Sequence, residues 1–322
     1  MDPAFWKDKR VLITGHEGFL GSNLTRTLIA AGARVTGLDV KTHRKQTIFT
    51  ADDYGRMTSV RGTVENFKLV SRLLEEQDIE YVFHLGARAL VGDCLKDPVK
   101  GFSVNIKGTW QVLEAVRRRS RIKAVVVAST DKAYGVHEDL PYVEDAPLKA
   151  DAPYDVSKSC ADMLAYTYYK TYNVPVSVTR CGNIYGPGDF NFSRIIPDAV
   201  RCVVHNKTLK IRSDGTFVRD YVYVDDIVAA YLTLAEQMGR REVCGQAFNF
   251  SDGKPLSVLD LIKHIYAVMG VEGRYKVCNT ARCEIPAQYL DASKAKKLLG
   301  WTAANTIEQG LRKAIAWYRE VV

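Results

Sequence analysis

Residues 10–24 read RVLITGHEGFLGSNL: an apolar run, then Gly15, Gly18 and Gly21, then the opening of an amphipathic stretch. A strand that passes through a glycine turn into a helix gathers unpaired amide N–H groups and the positive end of a helix dipole at one point. Glycines at this spacing serve a tight turn, a close approach of backbone to a pyrophosphate, and close helix–strand packing. A second β-branched run, Arg34–Leu38, follows and leads into Asp39. An acidic residue at that place binds both hydroxyls of an adenosine ribose and repels a 2′-phosphate, which favours NAD over NADP. Arg44 and Lys45, close behind, keep NADP open.

Working outward, the same alternation continues. Further strand-like runs lie at Met57–Val60, Tyr81–His84, Ala124–Ala128 and Val174–Thr179. Helical spacing of apolar residues covers Phe19–Ala31, Val64–Glu76, Pro98–Arg119 and Pro153–Tyr172. Strands alternating with helices of that length imply an α/β chain built on a doubly wound parallel sheet. After Arg180 the alternation loosens, and glycine and proline cluster between Gly182 and Gly188, which marks the way into a smaller C-terminal lobe. Later helices are expected at Ser193–Val204, Val224–Gln237, Val258–Met269, Ser293–Leu299 and Ile307–Arg319. The expected division gives residues 1–180 to a dinucleotide-binding domain, with segments near 215–250 returning to it, and 181–322 mainly to a substrate-binding lobe.

Composition narrows the function classes. The chain has 322 residues, 47% hydrophobic and 25% charged, with a formal net charge of +8, which excludes a disordered or collagen-like chain. The first ten residues carry five charges and no apolar core of a signal peptide, and no apolar run exceeds strand length. A cytoplasmic protein without membrane spans is expected. Its seven cysteines (94, 160, 181, 202, 244, 278 and 283) are scattered and odd in number, so reduced thiols are expected. Cys278 and Cys283 lack the second ligand pair of a zinc site, and no metal is expected. The basic run Arg117–Arg121 ends a long helical segment with no aromatic array beside it, which speaks for helix-terminal cations rather than nucleic-acid binding.

The catalytic signals lie in two places. Tyr154 and Lys158 open a helical segment at a spacing of four, which puts them on one face. A lysine ammonium beside a phenol favours the phenolate, a base able to take a proton from a substrate hydroxyl while hydride leaves the same carbon. Thr130, Asp131 and Lys132 follow the strand-like run Ala124–Ala128, at the end of a strand that faces the ligand crevice in such sheets.

Taken together, TGHEGFLG, HLGA, STDKAYG, YDVSK, RCGNIYGPG, RDYVYVDD and LDASKAKKLLGW resemble, almost end to end, the extended short-chain dehydrogenases/reductases that modify nucleotide sugars. The resemblance implies a Rossmann domain holding NAD, a small lobe holding a nucleoside-diphosphate sugar, and a homodimer formed through the helices near Pro98–Arg119 and Pro153–Tyr172. It implies cofactor contacts at Gly15, Gly18, Phe19, Leu20, Gly21, Asp39, Leu85, Ala87, Tyr154 and Lys158, and substrate contacts at Asn183, Arg194, Arg219 and Arg282. The Thr130-Asp131-Lys132 tripeptide resembles CDP-glucose 4,6-dehydratases and inverting UDP-N-acetylglucosamine dehydratases, and Phe5-Trp6-Lys7 the former, whereas the segment at Arg219 is closer to the general epimerase and dehydratase pattern. Many relatives carry an aspartate for adenine where this chain has Arg61-Gly62-Thr63-Val64. The expected activity is a 4,6-dehydration in which Asp131 is the acid at O6, Lys132 a base or electrostatic aid at C5, and Thr130 a hydrogen-bond partner of O4. An epimerase, which needs no such acid, is the alternative enzyme; an NAD-binding sensor or scaffold is the alternative without catalysis.

Overall fold

A computed structural model describes residues 2–280 and 285–322. Seven strands, β1 (Arg10–Thr14), β2 (Arg34–Asp39), β3 (Met57–Arg61), β4 (Tyr81–His84), β5 (Ala124–Ala128), β6 (Val176–Cys181) and β7 (Ala247–Phe250), form one sheet in the order β7-β6-β5-β4-β1-β2-β3. Every neighbouring pair is parallel. The order reverses between β1 and β4, the point at which a doubly wound sheet opens a crevice beyond its carboxyl ends.

The central strands β1, β4 and β5 are buried along nearly their whole length because helices cover both faces, whereas the edge strand β3 is only partly buried. Along β1, Val11 and Ile13 join one layer with Leu24 and Leu28 of helix α1 (Phe19–Ala30), while Leu12 joins the other with Val70, Leu74, Val112 and Val116. Helix α2 (Pro153–Tyr172) lies on the second face, and helix α3 (Val224–Glu236) lies with α1 on the first. Trp6 is fully buried at the amino end of the sheet, edge-on to Tyr81 at a ring separation of 5.1 Å, and its indole N–H donates to Glu236 at 2.7 Å. The Phe5-Trp6-Lys7 motif therefore seals the end of the sheet remote from the crevice.

Several element boundaries differ from the sequence expectation, two of them because a residue serves a partner elsewhere in the chain. The helix expected from Val64 starts at Phe67, with Asn66 as its N-cap accepting from the Leu69 amide at 3.1 Å. Val64 instead plugs the space left by two glycines: a Cβ on Gly86 or Gly108 would come within 3.0 or 2.5 Å of its methyl groups. The expected helix Pro98–Arg119 contains a π-helical turn at Ser103–Lys107 before resuming over Gly108–Arg117. The sixth strand spans Val176–Cys181 rather than 174–179. The basic run is consumed by carboxylates: Arg117 and Arg118 pair with Glu114, Arg119 with Glu75, and Arg121 with Asp78. No described helix is long and apolar enough to cross a membrane.

Beyond β6 the chain builds short strands and helices outside the sheet. Asn183–Tyr185 pairs with Tyr221–Tyr223, and Val218–Arg219 lies between Leu256–Ser257 and Ala287–Gln288. Helices Ile195–Val204, Val258–Met269 and Ile307–Val321 pack around them.

At the carboxyl end of β6 Arg180 is buried and forms a two-pronged pair with Asp162 of α2, at 2.8 and 3.0 Å. Removing one member of a buried pair leaves the other charge uncompensated, so Asp162→Ala should lower the unfolding free energy by about 3–5 kcal/mol. Urea denaturation at neutral pH measures this; a loss below 1 kcal/mol, the range of an exposed pair, would contradict it.

Candidate active site

The glycine turn is as tight as its composition allows. Gly15 has φ +77°, and a Cβ there would come 2.9 Å from the Gly86 nitrogen; a Cβ on Gly21 would come 2.1 Å from the Gly15 carbonyl oxygen. Gly18 is the N-cap of α1 and offers no side-chain acceptor, so the first-turn amides beside Phe19 and Leu20 are left for an anionic ligand. On the next strand Asp39 is buried, its carboxylate accepting from the Glu17 and Lys41 amides at 3.3 and 3.1 Å. Arg44 reaches the same carboxylate at 3.1 Å. Leu85 and Ala87 flank Gly86 at the end of β4, where the Leu85 amide donates to Thr14. A glycine cradle that a single Cβ would fill, an uncapped helix terminus and an acid at the end of β2 together fit a dinucleotide with an unphosphorylated ribose.

Glu17 and its partners are a part of this end that sequence reasoning missed. Its buried carboxylate accepts from the His43 amide at 2.8 Å and from the Tyr54 hydroxyl at 3.0 Å, fixing the loop that carries Arg44. Burial and this bond push the Tyr54 phenol up to about 12.

Deeper in, polar side chains run in a chain beneath the crevice. Thr14 Oγ1 lies 2.8 Å from His84 Nδ1, His84 Nε2 lies 3.1 Å from Thr109 Oγ1, and Thr109 donates to the Asn105 carbonyl at 2.6 Å. Burial, helped by the Lys158 charge, lowers His84 to about 3, so the imidazole is neutral. Asn105, in the π-helical turn, accepts from the Arg88 amide at 2.7 Å and donates to Ser157 Oγ at 2.8 Å, which itself donates to the Tyr154 carbonyl at 2.6 Å. The widened turn thus has a purpose: it lets Asn105 reach both the loop after β4 and the helix carrying the tyrosine. No motif spacing marks it.

The two stretches expected to be catalytic meet across β5 and α2. Lys158 is buried and donates to the Ala128 carbonyl at 2.7 Å, and burial lowers it to about 8. Thr130 caps the short 3₁₀ turn Asp131–Tyr134 and donates to Asp131 Oδ1 at 3.0 Å. Asp131 is 5% exposed, and burial raises its carboxyl above the usual range against the pull of Lys132. Lys132 is half-buried beside it. Tyr154 departs from expectation: burial, then the charges of Asp131 and Asp155, raise its phenol, with Arg194 opposing. The lysine ammonium is spent on a carbonyl, so the protein alone does not provide a phenolate.

The residues expected to meet substrate are spread more widely. Arg194, the N-cap of Ile195–Val204, pairs with Asp189 at 3.0 Å and lies 6.0 Å from the Phe19 ring, which brings it over the glycine turn. Arg219 is buried and donates to the carbonyls of Val218, Pro286 and Ile285, and its charge reaches Asp131. Asn183 is exposed on its short strand, its amide bonded to the Asp220 carbonyl at 3.0 Å. Arg282 lies outside the described residues. Among the described residues no group of acidic, histidine and cysteine side chains could hold a metal, and the six described cysteines are free.

The NAD dependent epimerase/dehydratase family matches residues 11–249. The chain is 30% identical over 327 residues to a UDP-glucuronate 4-epimerase of Thermodesulfobacterium geofontis, covering 96% of each chain. It is 29% identical over 335 residues to the CDP-glucose 4,6-dehydratase of Salmonella typhimurium, covering 99% of this chain and 93% of the relative. The structure of dTDP-glucose 4,6-dehydratase from Bacillus anthracis in complex with NAD superposes with a TM-score of 0.86 at 28% identity, over 97% of both chains.

Two measurements test the site. Gly21→Ala should abolish measurable NAD binding in calorimetry while Gly55→Ala, where a Cβ meets nothing, should not. Lys158 binds its proton less tightly folded than unfolded, so wild-type stability should rise between pH 8 and pH 10 relative to Lys158→Met, by on the order of 2–3 kcal/mol. Parallel pH–stability curves would refute the buried, depressed ammonium.

Proposed function

Because the chain belongs to the NAD-dependent epimerase/dehydratase family, we propose that it is a nucleoside-diphosphate-sugar 4,6-dehydratase, forming a 4-keto-6-deoxy sugar nucleotide. The observation that carries this reading is Asp131, a buried carboxyl just beyond the end of β5 whose desolvated setting raises its pKa above the usual carboxylate range. Expelling O6 as water needs a proton donor, and a 4-epimerase has no use for one. The glycine turn and Asp39 would hold NAD, which when bound would accept hydride from C4, return it to C6, and bring a positive charge into the cleft.

The protein side chains divide the remaining work. Tyr154 takes the O4 proton as C4 is oxidised, helped by Arg194 and by the charge that arrives with the cofactor. Thr130 hydrogen-bonds O4. Asp131 gives its proton to O6 as the C6–O6 bond breaks, and Lys132 serves C5, whose proton is acidic once C4 is a ketone. Asn183, Arg194 and Arg219 bind the substrate's diphosphate region; an arginine fork suits phosphate oxygens because it makes two charge-assisted bonds at once.

Incubation with CDP-glucose, UDP-glucose, dTDP-glucose and GDP-mannose, followed by mass analysis, tests the assignment. Loss of one water without net NAD reduction is expected; an unchanged mass with a new stereoisomer would make the protein an epimerase, and tight NAD binding with no turnover would make it a sensor. Asp131→Asn should retain NAD binding and lose water elimination by at least about 100-fold.

The same reading includes a homodimer. Trp110 on Gly108–Arg117 and Met163, Tyr166 and Tyr172 on α2 are 40–62% exposed, an apolar face on two neighbouring helices. Met163→Glu should shift the mass measured by light scattering from two chains to one; a wild type that already runs as a single chain overturns the dimer.

A further inference from the structure

The loop after β2 carries Arg44 and Lys45 close to Asp39, and a cation at that place could take a 2′-phosphate. Arg44 is engaged otherwise. Its Nη2 donates to Asp39 Oδ1 at 3.1 Å, and its Nε is buried with no hydrogen-bond partner among the described residues. Asp39 and Arg44 thus form a charge-balanced pair with acceptor oxygens on one side and a spare donor on the other. Such a pair suits hydroxyl groups and offers no uncompensated cation to a phosphomonoester.

The pair is held in place through Glu17, which lies inside the glycine turn and whose side chain is wholly buried. Its amide donates to Asp39 Oδ2 at 3.3 Å. Its carboxylate accepts from the amide of His43, the residue before Arg44, at 2.8 Å, and from the Tyr54 hydroxyl at 3.0 and 3.1 Å to its two oxygens. His43 has φ +55°, and its ring stacks on Tyr54 at 4.1 Å. A residue other than glycine stays in that region only where its surroundings hold it. Tyr54 in turn stands on a fixed helical turn: Thr50 and Asp53 cap Ala51–Gly55 by reciprocal bonds, and Arg26 of α1 reaches Asp53 at 3.4 Å. One buried carboxylate therefore joins the glycine turn, the acid of β2 and the loop that carries Arg44.

We propose that Glu17 is a positioning residue that sets cofactor specificity: by clasping His43 and Tyr54 it keeps Arg44 on Asp39, so that the site takes the ribose hydroxyls of NAD and refuses the 2′-phosphate of NADP. This role presupposes Asp39 as the acid that meets the ribose. Released from the clasp, Arg44 is free to turn from Asp39 to a phosphate, whose oxygens its planar fork matches. The arginine is thus kept from NADP by its setting and not by its distance from the ribose.

Calorimetric titration of the full chain with NAD and with NADP decides the matter without turnover. Wild type should bind NAD at least about 100-fold more tightly, and Glu17→Ala should cut that preference at least about tenfold by strengthening NADP binding. The Glu17→Ala/Arg44→Met double variant should lose the gain, because the gain depends on the freed arginine. Glu17→Gln, whose amide oxygen can accept the same two bonds, should keep the preference within about threefold of wild type. Tyr54→Phe removes one bond of the clasp and leaves the charge; it should lower the preference about threefold and serves where Glu17→Ala does not fold. An unchanged preference in these variants overturns the proposal, as does a Glu17→Gln protein that behaves like Glu17→Ala, since the effect then belongs to the charge and not to the clasp. Asp39→Asn checks the presupposition separately: it should weaken NAD at least about tenfold, and an unchanged NAD affinity removes the ribose role of Asp39, whereas an unchanged preference in the Glu17 series removes only the clasp.

Discussion

The Arg180 guanidinium holds the carboxyl ends of the central strands in register with the helix that carries the tyrosine. Two of its nitrogens grip Asp162 of α2, and the third donates to the Tyr134 hydroxyl at 2.8 Å and the Glu144 carbonyl at 2.9 Å. Tyr134 passes the connection to Asn249 of β7 at 2.7 Å, and the Asn249 amide donates to Glu144 at 2.8 Å. A buried cation tolerates few arrangements, because every donor must be met in a place water does not reach. The 131–134 turn, α2 and β7 therefore have one mutual placement, and Thr130, Asp131, Tyr154 and Lys158 inherit it.

Within that frame the site is governed by desolvation. Burial raises Asp131 and Tyr154 and lowers Lys158 and His84, in every case weakening the charged form. A dry cleft of this kind is poised to gain from charges that its ligands bring, since each is worth more there than in water. The arginine run at 117–121 is neutralised by neighbouring carboxylates, and Arg44 and Arg194 pair with Asp39 and Asp189, while Arg219 is turned to backbone carbonyls.

Much of this was legible in the residues alone. Strands flanked by helices on both sides must be largely apolar on both sides, so the middle of the sheet announced itself in the runs Val11–Ile13 and Val125–Val127. The glycine turn was legible because no other residue fits where a Cβ would strike the backbone. Boundaries failed where a residue served a distant partner: Val64 fits helical spacing but fills the space beside Gly86 and Gly108, and Asn105 sits in a helical pattern yet widens the turn to reach Arg88 and Ser157. The lowered phenol expected from Tyr154 and Lys158 failed for a related reason, since the helix spacing was right but the ammonium points to the Ala128 carbonyl.

The sequence by itself determined the alternation of strands and helices in the first half of the chain, the glycine turn, the acid at the end of β2, and the two stretches proposed to hold the chemistry. These depend on local geometry, in which spacing and side-chain size are enough. Only the tertiary structure decided which charges share a space: Arg180 with Asp162, Arg119 with Glu75, Arg194 with the glycine turn. Burial and pairing set the protonation of each group, and both arise from residues far apart in the chain that meet only after the sheet has closed.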